Sequence, residues 1–273
     1  MNYYEIIKKA LKEDIGKGDI TTRLTIPKHK KAKAVLLAKD NFTLCGMNLA
    51  KEVFQSLDRS IKFQALAKDG AKVKRGKVLA KISGPASPIL SAERVALNFL
   101  SLLSGVATKT REYVDAAKPY KAKILDTRKT IPGLRFLQKY AVRCGGGFNH
   151  RMNLDEMVLI KDNHLAILGA KTQAAKLREK IKNIKIEIEV NSLEQFRKAL
   201  KEKPDIIMLD NMRLEDIKKA VVIRNAAHPK LEVSGGVSLK NIRRLAATGV
   251  EMISVGSLTH SVESKDISLE FIS

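Results

Sequence analysis

Two short apolar stretches of the chain each end in a cluster of charged and polar residues. Residues 121–125 lead into Asp126-Thr-Arg-Lys-Thr130, and residues 157–160 lead into Lys161-Asp-Asn-His164. Both stretches have the length and composition of buried β-strands. In α/β folds, ligand sites form on the loops at the carboxyl ends of parallel strands, so these clusters are candidate site residues. The alternative is ordinary solvated charge, which is what most charge runs are.

The cations in and near these clusters are of two chemical kinds. Arg128 and Arg151 carry planar guanidinium groups, which bind carboxylates through two parallel hydrogen bonds. Lys129 and Lys161 carry compact ammonium groups, which suit the point charges of phosphate. Together they indicate a ligand that carries several negative charges.

Two acidic residues at strand ends are candidates for a second role. In the run Ile184-Lys-Ile-Glu-Ile-Glu-Val190 the isoleucines share one face, and Glu189 lies on the other face. Asp210 ends the next apolar run. Their carboxylates have the chemistry to bind sugar hydroxyls or Mg²⁺, a hard cation that takes oxygen ligands. The alternative is ion pairs with Lys161 or Arg128.

Glycines end the last two apolar runs, at Ser234-Gly235-Gly236 and Gly256-Ser257. Glycine allows backbone N–H groups to approach an anion closely, and barrel enzymes often bind phosphate at this position. Combined with the cations, these glycines predict a phosphorylated substrate.

The elements that must position these residues follow a βα pattern. Apolar runs separated by helix-patterned segments recur at 121–125, 157–160, 184–190, 205–209, 231–233 and 252–255. This alternation predicts a parallel sheet, and six strands are fewer than the eight of a complete barrel, so we expect an open or incomplete α/β barrel.

The N-terminal part has a different pattern. We expect a strand at 33–39, a helix at 47–57 and short strands between 61 and 84. Ser91 is the predicted N-cap of a further helix, which Ser104-Gly105 should interrupt. This places Arg94 in the first turn, where the helix dipole disfavours a cation.

Composition narrows the class of protein. The net charge of +22 raises the possibility of a nucleic-acid partner, but aromatic residues make up only 5% and tryptophan is absent, so stacking platforms are not expected. A diffuse cationic surface can instead steer anionic small substrates. No window of eighteen apolar residues is evident, so no membrane span is predicted. Cys45 and Cys144 are isolated in the sequence, which fits a reducing, cytoplasmic location.

Several motifs resemble those of the quinolinate phosphoribosyltransferase family along nearly the whole chain. They are Gly18-Asp-Ile-Thr21, Glu93-Arg-Val-Ala-Leu-Asn-Phe-Leu100, Asp126-Thr-Arg-Lys-Thr130, Gly146-Gly-Phe-Asn-His-Arg151, Leu159-Ile-Lys-Asp-Asn-His164 and Ser254-Val-Gly-Ser-Leu-Thr-His260.

The resemblance implies an N-terminal α/β sandwich domain (1–105), an open α/β barrel domain (106–262) and a tail (263–273) that returns to the first domain. It implies transfer of ribose 5-phosphate from phosphoribosyl pyrophosphate to quinolinate, with decarboxylation to nicotinate mononucleotide in NAD biosynthesis. Mg²⁺ is the implied cofactor, and a homodimer or larger oligomer the implied assembly. Neither nucleic acid nor membrane is an expected partner.

The resemblance also implies residue roles. Quinolinate contacts fall on Arg128, His150, Arg151 and Lys161, with Arg94 supplied by the partner subunit. Phosphoribosyl pyrophosphate contacts fall on Thr127, Lys129, Glu189, Asp210, Ser234, Gly235, Gly236, Gly256 and Ser257. The expected catalytic residues are Lys129, Lys161, Glu189 and Asp210, and the expected metal ligands are Glu189 and Asp210.

Three other functions are compatible with parts of the sequence. A phosphoribosyltransferase with another acceptor would share most of the motifs. A Schiff-base aldolase would use Lys161 as its nucleophile, but it leaves both arginines unexplained. A basic nucleic-acid-binding protein would account for the net charge alone.

Overall fold

The computed structural model describes residues 3–168, 177–178, 180–181, 183–224 and 228–272. They form two compact units. Unit 1 comprises Met1–Arg111, Ile131–Gly146 and Ser261–Ser273, and unit 2 comprises Glu112–Thr130 and Gly147–His260. Unit 1 also includes residues 131–146, which fall inside the predicted barrel domain, and the predicted boundaries at 105/106 and 262/263 stay a prediction.

Strands and helices are numbered here in chain order. The strands are β1 (Lys31–Ala38), β2 (Phe42–Thr43), β3 (Lys62–Ala65), β4 (Lys72–Val73), β5 (Val78–Pro85), β6 (Lys123–Leu125), β7 (Met157–Ile160), β8 (Lys185–Val190), β9 (Ile206–Asp210), β10 (Lys230–Ser234), β11 (Met252–Ser254) and β12 (Ile267–Ile272). The helices are α1 (Tyr4–Ile15), α2 (Ile20–Thr25), α3 (Met47–Leu57), α4 (Ala86–Ala117), α5 (Arg135–Cys144), α6 (Asp162–Leu168), α7 (Leu193–Lys201), α8 (Leu214–Arg224), α9 (Ile242–Ala246) and α10 (Ser257–His260).

Unit 1 is built on an antiparallel sheet. Four strands pair in the order β12-β1-β5-β3, and β2 pairs separately with β4. The C-terminal strand β12 lies beside β1 over six residue pairs, from Lys33 with Ile272 to Ala38 with Ile267. Helix α3 buries Leu49, Val53 and Phe54, so the apolar side predicted from its spacing is the side that packs.

Helix α4 differs from its prediction at both points where the sequence indicated a boundary. It begins at Ala86 rather than after Ser91, since Pro88 is tolerated in a first turn. Ser91 Oγ donates to Asp19 Oδ2 (2.9 Å) instead of capping the helix. The helix also continues through Ser104-Gly105: a Cβ at Gly105 would lie 2.3 Å from the Glu263 carbonyl oxygen, so the glycine serves close packing.

This correction changes the environment of Arg94. The residue lies eight positions beyond the first residue of α4, not in its first turn, so the helix-dipole argument for an unusual cation is wrong. Its side chain is exposed. Helix α4 also has the length and mean hydropathy of a membrane span, but 61% of its apolar window is buried in the fold, as expected of a core helix.

Unit 2 is built on a parallel sheet in the order β6-β11-β10-β9-β8-β7. The first strand of the unit therefore pairs with the last, as in a closed barrel. Among the described residues β6 and β7 do not pair with each other, and Leu125 of β6 instead makes an isolated bridge with Phe148. The predicted open α/β barrel is confirmed, and each strand lies within two residues of its predicted position.

The register of this sheet aligns the candidate site residues. Asp210 pairs with Ser234, and Glu189 pairs with Met208, two residues before Asp210. The strands run in the same direction, so their carboxyl ends and the loops that follow lie at one edge. Ile186, Ile188 and Ile207 are fully buried.

Candidate active site

A cleft of about 720 Å³ opens at the carboxyl-terminal edge of the parallel sheet. Every predicted site residue except Arg94 contributes to its lining: Thr127, Arg128, Lys129, His150, Arg151, Lys161, Glu189, Asp210, Ser234, Gly235, Gly236, Gly256 and Ser257. Arg94 belongs to unit 1 and is not among the lining residues. The structure thus brings together residues that are spread over 130 positions of sequence, from Thr127 to Ser257.

The positively charged guanidinium groups of Arg128 and Arg151 lie in the same cleft and repel each other. Burial lowers the pKa of Arg151, and the positive charge of Arg128 lowers it further, while Glu187 acts in the opposite direction. Within the described part of the chain, the buried Nε atoms of both arginines have no hydrogen-bond partner. Arg151 is held in place by its Nη1 group, which donates to the Met157 carbonyl (2.8 Å). A ligand with two carboxylates would relieve the repulsion between the two cations.

The carboxylates on the neighbouring strands are held by other partners. Lys161 Nζ forms a salt bridge with Glu189, so one of the predicted alternative ion pairs does form. Asp210 Oδ2 accepts a hydrogen bond from Asn211 Nδ2 (2.7 Å). Both acidic side chains line the cleft. The pair suits Mg²⁺, which is commonly held by one or two carboxylates together with substrate phosphates and water.

The glycine-rich loop after β10 has a backbone that other residues rarely adopt. Gly235 and Gly236 have φ angles of +83° and +60°, which lie in the left-handed region that favours glycine. A Cβ at Gly235 would also lie 2.2 Å from Asn211 Oδ1. The loop is therefore closely packed against Asn211, and its backbone N–H groups are suited to an anion such as phosphate.

A second glycine makes room for a lysine stem. A Cβ at Gly256 would lie 3.2 Å from Lys129 Cδ and 3.3 Å from the imidazole of His260. The Lys129 backbone is fixed at both ends, since its N–H donates to Thr127 Oγ1 (3.0 Å) and its carbonyl accepts from Thr259 Oγ1 (2.6 Å). These contacts direct Lys129 toward the side of the cleft that carries the glycines.

His150 is part of a buried network beneath the cleft. Its Nδ1 accepts from the Arg151 backbone N–H (2.8 Å), which assigns the ring proton to Nε2. Nε2 lies 3.1 Å from Glu187 Oε2 and 3.6 Å from Glu232 Oε1. Both ring nitrogens are thus engaged by the protein. The predicted contact between His150 and quinolinate stays a prediction.

The two carboxyl groups of this network hold protons at unusually high pH. Burial raises the pKa of Glu187 to about 8 and that of Glu232 to about 8. Glu232 Oε1 also accepts from Ser254 Oγ (2.6 Å). One ligand atom from each of His150, Glu187 and Glu232 lies within 4.8 Å of the other two. We interpret this cluster as a hydrogen-bonded support for the cleft, because its carboxyl groups accept hydrogen bonds from His150 and Ser254.

Glu232→Gln should flatten the pH dependence of stability. Between the ordinary pKa of 4.5 and the folded value of about 8, the folded chain keeps a proton that the unfolded chain releases. Stability is therefore highest below the unfolded pKa and falls as pH rises toward 8, by at most about 1.4 kcal/mol per pH unit for this group. Glutamine can still accept from Ser254 but does not titrate.

Melting temperatures measured from about pH 5 to pH 8 test this expectation. Glu215→Gln is the matched control, because Glu215 is exposed in the first turn of α8 and should leave the wild-type slope unchanged. A Glu232→Gln protein that loses stability with pH as steeply as the wild type would contradict the assignment.

Six residues that line the cleft were given no site role from the sequence, namely Leu159, Met208, Asn211, Val237, Ser254 and His260. Glu232 was given no role either. A signal for Glu232 was present: it lies two positions before Ser234 on β10, and the two-residue period of a strand places both on one face. The same period relates Glu187 to Glu189.

Comparison with known proteins agrees with the residue pattern over both halves of the chain. Residues 19–104 match the family model described as the quinolinate phosphoribosyl transferase N-terminal domain, and residues 106–270 match its C-terminal domain. The chain belongs to the quinolinate phosphoribosyl transferase family.

Two members of the family are similar to this chain over nearly their full length. The probable nicotinate-nucleotide pyrophosphorylase [carboxylating] of Methanocaldococcus jannaschii is 44% identical, over 98% of this chain and 96% of the relative. The nicotinate-nucleotide pyrophosphorylase [carboxylating] of Mycobacterium leprae is 42% identical, over 97% and 96%.

Solved structures of the family agree with the fold. A nicotinate-nucleotide pyrophosphorylase from Ehrlichia chaffeensis has a TM-score of 0.94 at 43% identity and covers 100% of this chain and 99% of that one. The enzyme from Francisella tularensis has a TM-score of 0.92 at 42% identity, over 98% and 95%. The predicted family, fold class and enzyme class, a quinolinate phosphoribosyltransferase of pyridine nucleotide biosynthesis, are confirmed.

Proposed function

We propose that the strand-end cleft transfers ribose 5-phosphate from phosphoribosyl pyrophosphate to the ring nitrogen of quinolinate, and then releases CO₂. The products are nicotinate mononucleotide, pyrophosphate and CO₂. The observation that carries this proposal is the presence of two neighbouring guanidinium groups, those of Arg128 and Arg151, in the cleft. The same cleft contains Lys129, Gly235 and Gly236, which suit anionic groups.

The acceptor side of the cleft suits a dicarboxylate. Arg128 and Arg151 each offer a planar fork to one carboxylate. Lys161 adds a third cation, which is shared with Glu189. Binding at this corner orients the pyridine nitrogen toward the sugar-binding carboxylates. The predicted contacts to quinolinate are proposed on this basis.

The donor side suits a phosphorylated sugar. Lys129 and the backbone of Gly235 and Gly236 provide positive charge and N–H groups for phosphate oxygens. Thr127, Ser234, Gly256 and Ser257 complete the set of proposed contacts. Glu189 and Asp210 provide acceptors for the ribose hydroxyls, and together they would hold Mg²⁺ with the pyrophosphate.

The chemistry requires separation of charge rather than a protein nucleophile. The bond from C1 of the ribose to the pyrophosphate oxygen breaks, and a bond from C1 to the ring nitrogen forms. Mg²⁺, when bound, supplies charge that stabilises the departing pyrophosphate. Lys129 adds to that stabilisation, and the Glu189 and Asp210 carboxylates favour the positive charge that develops on the ribose.

Decarboxylation follows because the new bond makes the ring nitrogen cationic. The electron pair of the breaking C–C bond is stabilised by that nitrogen, CO₂ leaves, and a proton takes its place on the ring. Arg128 and Arg151 keep the ring oriented during both steps, so positioning provides much of the rate.

The quaternary arrangement is a separate proposal. We infer a homodimer in which Arg94 reaches the cleft of the partner subunit. Its support is that Arg94 is exposed on unit 1, is not among the residues lining the cleft of its own chain, and falls within a family motif. The cytoplasmic location and the lack of a nucleic-acid or membrane partner remain expectations.

A Schiff-base aldolase is less well supported. Its nucleophile would be Lys161, which forms a salt bridge with Glu189, and the reaction gives no role to the guanidiniums of Arg128 and Arg151. Borohydride should trap no carbonyl substrate on the enzyme.

Product analysis tests the reaction. With Mg²⁺, phosphoribosyl pyrophosphate and quinolinate labelled in its 2-carboxylate, the chain should release labelled CO₂ and nicotinate mononucleotide in equal amounts. Without phosphoribosyl pyrophosphate no CO₂ should appear. Release of CO₂ without the sugar donor, or a nucleotide that keeps both carboxylates, would contradict the proposed order of steps.

Lys129→Ala and Arg151→Ala should separate the two halves of the cleft. Loss of a hydrogen bond to a charged group should weaken phosphoribosyl pyrophosphate binding roughly 10- to 100-fold for Lys129→Ala, and quinolinate binding by a similar factor for Arg151→Ala. Each variant should bind the other substrate nearly normally. Calorimetric titration with one substrate at a time measures this.

The control for this experiment is Lys185→Ala. Lys185 is exposed at the start of β8, at the opposite end of the strand from Glu189, and its loss should change neither affinity. Equal losses for both substrates in Lys129→Ala and Arg151→Ala would reject the division of roles.

A further inference from the structure

The two cysteines of the chain lie beside each other in unit 1, although they are far apart in the sequence. The Cys45 and Cys144 sulfur atoms and a carboxylate oxygen of Asp69 all lie within 4.8 Å of one another. Cys144 is the last residue of α5, and Cys45 lies just before α3. The interpretation of these cysteines as isolated is therefore wrong, because the fold joins two segments that the sequence separates.

The segments that carry the two sulfurs are fixed by hydrogen bonds. Asp69 Oδ1 accepts from the backbone N–H groups of Gly46 (3.0 Å) and Met47 (3.1 Å), and its Oδ2 accepts from Tyr140 Oη (2.8 Å). The Cys45 N–H donates to Ser104 Oγ (3.0 Å). The loop before α3 is thus tied both to Asp69 and, through Tyr140, to α5. The sulfur atoms are held together by the protein framework.

The two thiols differ in access and in acidity. Cys45 is fully buried, whereas Cys144 is partly exposed. A hydrogen bond with Cys45 lowers the pKa of Cys144, against the effects of burial and of Asp69. The hydrogen bond with Cys144, followed by burial, raises the pKa of Cys45. Cys144 is therefore the thiol that solvent-borne reagents meet, and Cys45 is the protonated neighbour.

We propose that Cys144 and Cys45 form a thiol–disulfide exchange site for low-molecular-weight disulfides. The Cys144 thiolate attacks one sulfur of the external disulfide, forms a mixed disulfide and releases one thiolate. Cys45 then loses its proton and attacks the Cys144 sulfur, which closes the Cys45–Cys144 bond and releases the second thiolate. The protein dithiol is oxidised by two electrons, and the external disulfide is reduced to two thiols.

The residues of this site lie in unit 1 and are distinct from the residues that line the cleft in unit 2. The proposal therefore does not depend on the proposed function. Two thiolates and a carboxylate are also ligands for zinc, but both oxygens of Asp69 already accept hydrogen bonds. A zinc ion bound tightly at this cluster is therefore one of the results that would contradict the proposal.

Oxidised glutathione is the probe, used with the full-length chain in a buffer that contains a chelator. Aliquots are quenched with acid and analysed by mass spectrometry without reduction. The wild type should yield a peptide pair joined through Cys45 and Cys144, with no retained glutathione. Cys45→Ser should stop at a mixed disulfide on Cys144. Cys144→Ser should stay unmodified over the time in which the wild type is oxidised.

Cys45→Ala serves as a second variant if serine is not tolerated at the buried position, and melting temperatures confirm that each variant is folded.

Two results would overturn the proposal. One is a wild type that retains glutathione on either cysteine as Cys45→Ser does, which would mean that the second thiol does not attack. The other is one equivalent of zinc in the purified chain that only denaturation releases, which would make the cluster a metal site.

Discussion

Homodimers of Arg94→Ala and of Lys161→Ala should each be nearly inactive, and exchange of subunits between them should restore about a quarter of wild-type turnover. The expectation follows from the proposal that each active site takes Lys161 from one chain and Arg94 from the other. A two-fold dimer of the two variants then has one site with both defects and one site with neither. Random exchange makes half of the dimers mixed, and half of the sites in those dimers are intact.

Lys161 and Arg94 belong to different units of the chain. Lys161 lines the cleft and is paired with Glu189, so its loss removes a cation from the acceptor side and leaves a mostly buried carboxylate without its partner. Loss of one member of such a pair is typically severe. Arg94 is exposed on α4 in unit 1.

Arg75→Ala is the control for the exchange. Arg75 is an exposed arginine of unit 1 and should be dispensable. Its mixture with Lys161→Ala should keep about half of the activity, the value expected from dilution of intact clefts. Subunit exchange is verified by mass spectrometry of the intact dimers. If the Arg94 and Lys161 variants exchange fully and no activity returns, Arg94 serves the cleft of its own chain.

The sequence was sufficient to predict the cleft because of the geometry of parallel strands. Each apolar run that ends in Asp126, Lys161, Glu189, Asp210 or Ser234 forms a strand, and a parallel sheet places all of these ends at one edge. No knowledge of side-chain contacts was needed for this step. Arg94 is the exception, since nothing local to its sequence relates it to the strand ends.

Other features depend on packing between distant segments, which local pattern does not encode. Ser91 looks like an N-cap, but α4 begins earlier, at Ala86, and the Ser91 hydroxyl donates to Asp19. Gly105 looks like a break, but it permits contact with Glu263. Cys45 and Cys144 look isolated until the loop before α3 is placed against α5. In each case the deciding partner is far away in the chain.

The preference of the enzyme for quinolinate over nicotinate, expressed as kcat/KM, is expected to be large. Arg128, Arg151 and Lys161 line the acceptor side, and Arg94 is proposed to join them. Together these cations carry more positive charge than one carboxylate can neutralise. Nicotinate would leave at least one cation without a partner, at a cost of roughly 2–5 kcal/mol. This corresponds to a preference for quinolinate of roughly 30- to 5,000-fold in kcat/KM.

The most direct measurement is turnover of quinolinate and nicotinate under identical conditions, with Mg²⁺ and phosphoribosyl pyrophosphate and with nicotinate mononucleotide as the common product. The proposed site predicts efficient formation from quinolinate and little or none from nicotinate. Comparable turnover of the two acceptors would contradict the assignment of the paired guanidiniums to a dicarboxylate.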